Sequence, residues 1–176
     1  HHVSRIGESM FQLAMLDHLA GKGTDEASRL IHMDDATCLH TLRISDNAVS
    51  RELADRLYGR RLYKRALYAG SDQVNITALQ DGLSLPKIRE HAEKIAEAAG
   101  VLPHEVLVDI PSIPSELSLG VRVRNRHAVV GFEELSPRIR TLNATRREQW
   151  RLGVYTLPEL REKVADAACE VLHVKK

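Results

Sequence analysis

The sequence predicts a mostly α chain that ends in an α+β lobe. Three observations carry this expectation. Apolar residues recur at three- to four-residue spacing from Val3 to about Leu67. From Val106 the apolar period shifts to two. After Pro158 a helical stripe returns and closes the chain. The second half is therefore expected to hold a small sheet of about four short strands packed with two helices.

The elements follow in order. Val3, Ile6, Met10, Leu13, Leu16 and Ala20 form one amphipathic stripe, stopped by Gly21 and Gly23. Thr24 is suited to cap a short helix with Ala27, Leu30 and Ile31 inward. Asp34 or Asp35 caps the next, with Leu39 and Leu42 inward, and Ser45 or Asp46 starts a longer one through Val49, Leu53 and Leu57. The pattern runs on past Gly59 through Leu62, Ala66 and Leu67. It fades over 71–83, where Gly, Ser, Asp and Asn suggest a polar connection between a helical segment (1–70) and the lobe (84–176).

In the lobe, Ser84 and Pro86 open a helix with Ile88, Ala92, Ile95 and Ala99 inward, and Gly100 with Pro103 ends it. Val106-Leu107-Val108 reads as a strand. Val121 and Val123 alternate with arginines, and Asn125-Arg126 is suited to turn them into His127-Ala128-Val129-Val130 as a hairpin. Leu152, Val154 and Tyr155 read as a fourth strand.

Composition narrows the classes of function. Of 176 residues, 43% are hydrophobic and 28% charged, enough for a core and unlike a disordered chain. The formal net charge of +1 argues against a DNA-coating protein. Aromatic content of 4% leaves few platforms for stacking single-stranded nucleic acid, so nucleic acid is not the expected partner. No apolar run approaches the ~18 residues of a membrane span, and no signal segment opens the chain. Two isolated cysteines, Cys38 and Cys169, exclude a zinc ribbon and suit a reducing cytoplasm, the expected location.

The strongest constellation is the run Arg56-Leu57-Tyr58-Gly59-Arg60-Arg61-Leu62-Tyr63-Lys64-Arg65. On a helix, Arg56, Arg60 and Lys64 share one face at i, i+4 and i+8. Like charges at that spacing repel by a few tenths of a kcal/mol per pair, so an anion on the face would relieve them. Arginine forks phosphate and lysine adds a point charge. Pairing with Glu52 and Asp55 is the bland alternative. His1 and His2 precede the first helix and are suited to contact phosphate or metal, with a tag remnant or a frayed end as the bland alternative. Asp34-Asp35 is better explained by helix capping than by metal binding. Arg122, Arg124 and Arg126 fit a solvated strand face. Gly21-Lys22-Gly23-Thr24 lacks the upstream glycine and strand of a phosphate loop. No spacing brings a Ser-His-acid triad together, and the chain contains no His-Asp dipeptide.

The order of these features resembles the later part of the HD-domain phosphohydrolases, in the branch of deoxynucleoside triphosphate triphosphohydrolases. His1-His2-Val3 with Met10 is similar to the helix that follows that family's catalytic centre. Met33-Asp34-Asp35-Ala36 and Leu42-Arg43-Ile44-Ser45-Asp46-Asn47 are similar to its next two helix starts. Arg60-Arg61-Leu62-Tyr63-Lys64 resembles its Arg-x-Leu-[Phe/Tyr]-Lys run. Val106 to Pro111, and Gly153-Val154-Tyr155 before a closing helix, resemble strands of its C-terminal lobe.

The resemblance implies the C-terminal portion of a metal-dependent nucleotide phosphohydrolase. In such an enzyme a divalent metal held by an upstream His…His-Asp…Asp set polarises phosphate and activates water. This region carries no such set, so it is expected to hold no catalytic residue and no metal ligand. Its implied roles are packing, contacts within a homo-oligomer, and binding of a nucleotide effector. Arg60 and Lys64 match positions that contact effector phosphate, Leu62 the apolar residue between them, and His1 a nucleotide-proximal histidine. His2 departs from the pattern where a lysine can stand. The alternative is a non-enzymatic oligomerisation or nucleic-acid-binding α+β module.

Overall fold

The computed structural model describes residues 2–75, 79, 84–112, 120–124 and 128–175. Four helices come first: α1 (His2–Leu19), α2 (Thr24–Ile31), α3 (Asp35–Arg43) and α4 (Ala48–Tyr58). Strand β1 (Lys64–Gly70) follows, then α5 (Leu85–Ala99), a 3-10 turn (Pro103–Glu105) and β2 (Val106–Asp109). An excursion holds β3 (Arg122–Arg124), β4 (Val129–Gly131), α6 (Phe132–Leu135) and α7 (Pro137–Glu148). The chain returns through β5 (Arg151–Thr156), a 3-10 turn (Pro158–Leu160) and α8 (Arg161–Val171). It is a mostly α protein with a small amount of sheet.

Strand β5 is the middle of an antiparallel sheet ordered β1-β5-β2. Its neighbouring residues face opposite ways, so one strand feeds two cores. Leu152 and Val154 join Val106 and Val108 of β2 and Ala69 of β1 against α5 and α8. Tyr155 and Leu107 point to the other face, where Ile6, Met10, Leu42 and Leu53 of the first helices pack. A strand buried on both sides should read as nearly continuous apolar sequence, and Leu152-Gly153-Val154-Tyr155 does. The sheet is thus a wall shared by the first helices on one side and by α5 and α8 on the other.

Several expected local signals hold. Asp34 is the N-cap of α3 and accepts from the Thr37 N–H at 2.7 Å. That bond holds its carboxyl below the usual range. Gly100 ends α5 in the left-handed conformation that glycine tolerates best. The α4 cap is Asn47, not Ser45 or Asp46; its side chain accepts from the Val49 and Ser50 N–H groups. Gly23, not Thr24, stands at the N-cap of α2.

Two expectations need correction. The helical pattern past Gly59 does not continue as helix: α4 ends at Tyr58, and 64–70 is the strand paired with β5. Helical spacing at Leu57, Leu62 and Ala66 is overridden by pairing to a strand more than 80 residues later, the usual way tertiary context defeats local pattern. Of the four expected strands, only 106–109 and 151–156 enter the main sheet. The 121–130 hairpin forms a separate ribbon, with Val123 opposite Val130. Its turn, 125–127, and most of the polar connection, 76–78 and 80–83, lie outside the described residues. Helix α7 carries no apolar stripe and has no buried residue, which is why periodicity misses it. The Trp150 indole N–H donates to the Pro111 carbonyl at 2.8 Å and pins the base of the excursion.

Helix α5 carries a pH-sensitive ladder. Glu90 accepts from Lys94 at 2.7 Å and from Lys87 at 3.1 Å. These cations hold its carboxyl at about 2, against an ordinary 4.5. A folded-state pKa below the unfolded one gives stability that is present above about 4.5 and lost as pH falls through 2. Exposure and salt make this effect small. Glu90→Gln should therefore lower urea midpoints slightly at pH 6, match the parent chain near pH 2, and show a smaller difference in high salt.

Candidate functional site

The basic run 56–65 crosses from helix to strand, and the crossing decides where each side chain goes. The Arg60 N–H reaches the Leu57 carbonyl at 3.1 Å, and the Arg61 N–H reaches the Arg56 carbonyl at 2.8 Å. This is the paired-bond pattern of a Schellman termination. The same pattern closes α5, through Gly100 to Glu97 and Val101 to Ala96. There the left-handed position is glycine, at φ 63°. Here it is Arg60, at φ 52°. A residue with a Cβ costs about 1–2 kcal/mol in that conformation. Gly59 lies one position too early to take it.

Beyond the cap, Leu62 is half-buried against the helical core. Tyr63 is fully buried, and its hydroxyl donates to the His104 carbonyl at 3.0 Å. Burial pushes its phenol well above the ordinary range. Lys64 opens β1, exposed and opposite Thr156. Arg56, Arg60 and Lys64 therefore do not share a helix face, correcting that expectation. Arg56 is held by Glu52 at 2.9 Å. Arg65 stacks 5.0 Å over the Tyr68 ring.

Three exposed cations remain at the α4–β1 connection without an acidic partner among the described residues: Arg60, Arg61 and Lys64. They stand past the C-terminus of α4, whose partial negative charge favours them. Anchored by Leu62 and Tyr63 beneath, they form a short, outward-facing basic turn. Such a turn can accept an exposed anion through a guanidinium fork and a lysine point charge. His1, the fourth residue that the resemblance places near nucleotide, lies outside the described residues.

A second constellation joins the helices to the sheet. Arg5 of α1 makes two bonds of 2.5 Å to Asp109 at the end of β2. The Tyr155 hydroxyl donates to the same carboxylate at 3.3 Å. The bond to Asp109 raises the pKa of Arg5, so its charge is constant. Burial pushes the Tyr155 phenol up as well. This cluster is a structural clamp. It also accounts for Gly153: a Cβ there would stand 2.3 Å from the Tyr155 Oη.

A third set was illegible in the sequence. Ser45 Oγ lies 2.7 Å from His18 Nδ1, and His18 Nε2 lies 3.2 Å from Glu26 Oε1. The Asn47 N–H donates to the Ser45 hydroxyl at 3.2 Å, and the Glu26 carboxylate, which can only accept, takes the hydrogen of His18 Nε2. The His18 bond holds the Glu26 carboxyl below its usual range. The hydroxyl–imidazole–carboxylate order resembles a nucleophilic relay. Ser45 is 4% exposed and His18 3%, so no substrate reaches them. The set ties the end of α1 to α2 and to the α3–α4 connection. Its members lie 27 and 8 residues apart on three elements, and no spacing rule links them.

Among the described residues, no three His, Cys, Asp or Glu side chains could hold a metal ion. The described residues do not fit the divalent metal that the resemblance implies. No helix among the described residues is long and apolar enough to cross a membrane. Cys38 is buried and Cys169 half-buried, both as free thiols. Burial raises the pKa of Cys38, which makes it a poor nucleophile.

Comparison with known proteins agrees with the order of features. The model of the family described as "HD associated region" matches residues 1–176. No curated protein and no solved structure matches the chain. With the family's match running from the first residue to the last, the chain belongs to the HD associated region family.

Proposed function

We propose that this chain is the C-terminal portion of an HD-type, metal-dependent nucleotide phosphohydrolase similar to the deoxynucleoside triphosphate triphosphohydrolases. In this reading the metal and the hydrolytic chemistry belong to the HD domain. This region supplies packing, contacts between subunits, and a landing site for effector phosphate. The observation that carries the reading is the basic turn. Arg60, Arg61 and Lys64 stand exposed without an acidic partner among the described residues, on a rigid base of Leu62 and Tyr63. Arg60 also occupies a left-handed position where glycine would be more stable. Keeping an arginine there at an energetic cost supports a role for its side chain.

Arg60→Gly separates function from folding. It relieves the backbone cost, so the variant should be about 1 kcal/mol more stable than the parent. The same change should weaken binding of a deoxynucleoside triphosphate about tenfold, and Lys64→Ala should weaken it by a similar factor. Calorimetric titration at two salt concentrations, alongside urea unfolding, measures both. A more stable Arg60→Gly variant that binds as tightly as the parent sinks the proposal, and loss of binding in it cannot be blamed on misfolding.

A further inference from the structure

The sheet order leaves β2 at an edge. Helix α1 packs on one face of the sheet and α5 on the other, so both overhang that edge. Between them lies a cavity of about 230 Å³. Its walls are mainly apolar: Leu13 and Leu16 from α1, Ile88 and Ala92 from α5, Val106 and Val108 from β2. It lies away from the basic turn, and none of its lining residues belongs to 56–65.

One end of the cavity is charged. Asp17 is 8% exposed, and its Oδ1 accepts from Arg89 Nη2 at 2.9 Å, across the gap between α1 and α5. Glu93, which also lines the cavity, approaches the same guanidinium at 3.8 Å. Two carboxylates thus share one cation, and the charged end carries a net negative charge. A cleft whose charged end is acidic favours a cation there over an anion. An anionic ligand would have to displace carboxylates from Arg89. The volume lies below the ~300 Å³ at which drug-sized pockets begin, so the occupant is small.

We infer that this cleft binds a small amphipathic amine, its apolar body against Leu13, Ile88 and Val106 and its protonated amino group at the acidic end, beside Asp17 and Glu93. Such a ligand touches α1, α5 and β2 at once. It ties the two helical layers together across the open sheet edge and stabilises their packing by mass action.

The test is a titration of the 176-residue chain by two-dimensional NMR. The probes are benzylamine and its isosteres benzyl alcohol and benzoate. Benzylamine should saturate, with shifts confined to residues around Leu16, Ile88 and Val106. Benzyl alcohol should bind at least about tenfold more weakly, and benzoate should not saturate. Ile88→Trp fills the cavity and should abolish benzylamine binding while the rest of the spectrum is kept. Asp17→Asn should bring benzylamine down to the level of benzyl alcohol. If Asp17→Asn fails to fold, Ile88→Trp and the isostere series still decide. The inference is overturned if no probe saturates, if the three bind equally, if benzoate binds best, or if Ile88→Trp leaves benzylamine binding intact.

Discussion

Gly153→Ala is expected to destabilise the protein by about 2–3 kcal/mol, although glycine to alanine within a strand usually helps. The sign is set by one neighbour. A Cβ at 153 would lie 2.3 Å from the Tyr155 Oη and 2.6 Å from its Cζ. Tyr155 stands two residues along the central strand and on the same face, and its ring lies back over Gly153 to reach Asp109. The ring is fully buried among Ile6, Met10, Leu53 and Leu107, so it has nowhere to turn. Pushing it aside also breaks its bond to Asp109. The check is a double-mutant cycle by urea unfolding, read from the fluorescence of the single tryptophan, Trp150. Once Tyr155 is valine, Gly153→Ala should be neutral or favourable, a coupling of about 2 kcal/mol or more. An equal cost in both backgrounds would show that the tyrosine is not the cause.

Asp109→Ala should cost a similar ~2–3 kcal/mol for a different reason. Its two oxygens serve Arg5 and Tyr155, and the Arg5 bond crosses from the first helix to the edge strand, 104 residues away. Removing the carboxylate leaves a partly buried guanidinium and the phenol of a fully buried tyrosine without their acceptor. The side chain of Arg5 keeps 31% of its exposure and that of Asp109 keeps 17%, so water recovers part of the loss, and the cost stays below that of a fully buried pair. Arg5→Met should cost less, about 1–2 kcal/mol, because its alkyl part still packs and Asp109 keeps Tyr155. In the double variant Asp109→Ala/Arg5→Met, the two costs should fall well short of their sum. Full additivity in urea unfolding would mean that the pair does not act as a unit.

The two clusters explain why the motif Gly153-Val154-Tyr155 reads as it does. Val154 faces one core, Tyr155 the other, and Gly153 is the space that Tyr155 needs. The sequence shows the pattern of residues. The reason for the glycine appears only when the ring lies over it.

Most helices, their caps at Asp34 and Gly100, and strands β2 to β5 were determined by sequence alone. Local chemistry is enough for these: a capping carboxylate, a residue that accepts positive φ, and an apolar period matched to each element. The match over residues 1–176 agrees with the order of motifs along the chain. Where distant segments meet, packing overrides local pattern. Residues 64–70 carry a helical spacing but become a strand, because β5 offers hydrogen bonds and an apolar face. Arg60 and Lys64 keep their exposure but lose the shared helix face, because α4 stops at Tyr58. The Ser45–His18–Glu26 set and the Asp17–Arg89 pair join residues up to 72 positions apart. Periodicity reports which side of an element is buried; which side chains meet there is settled by packing between elements.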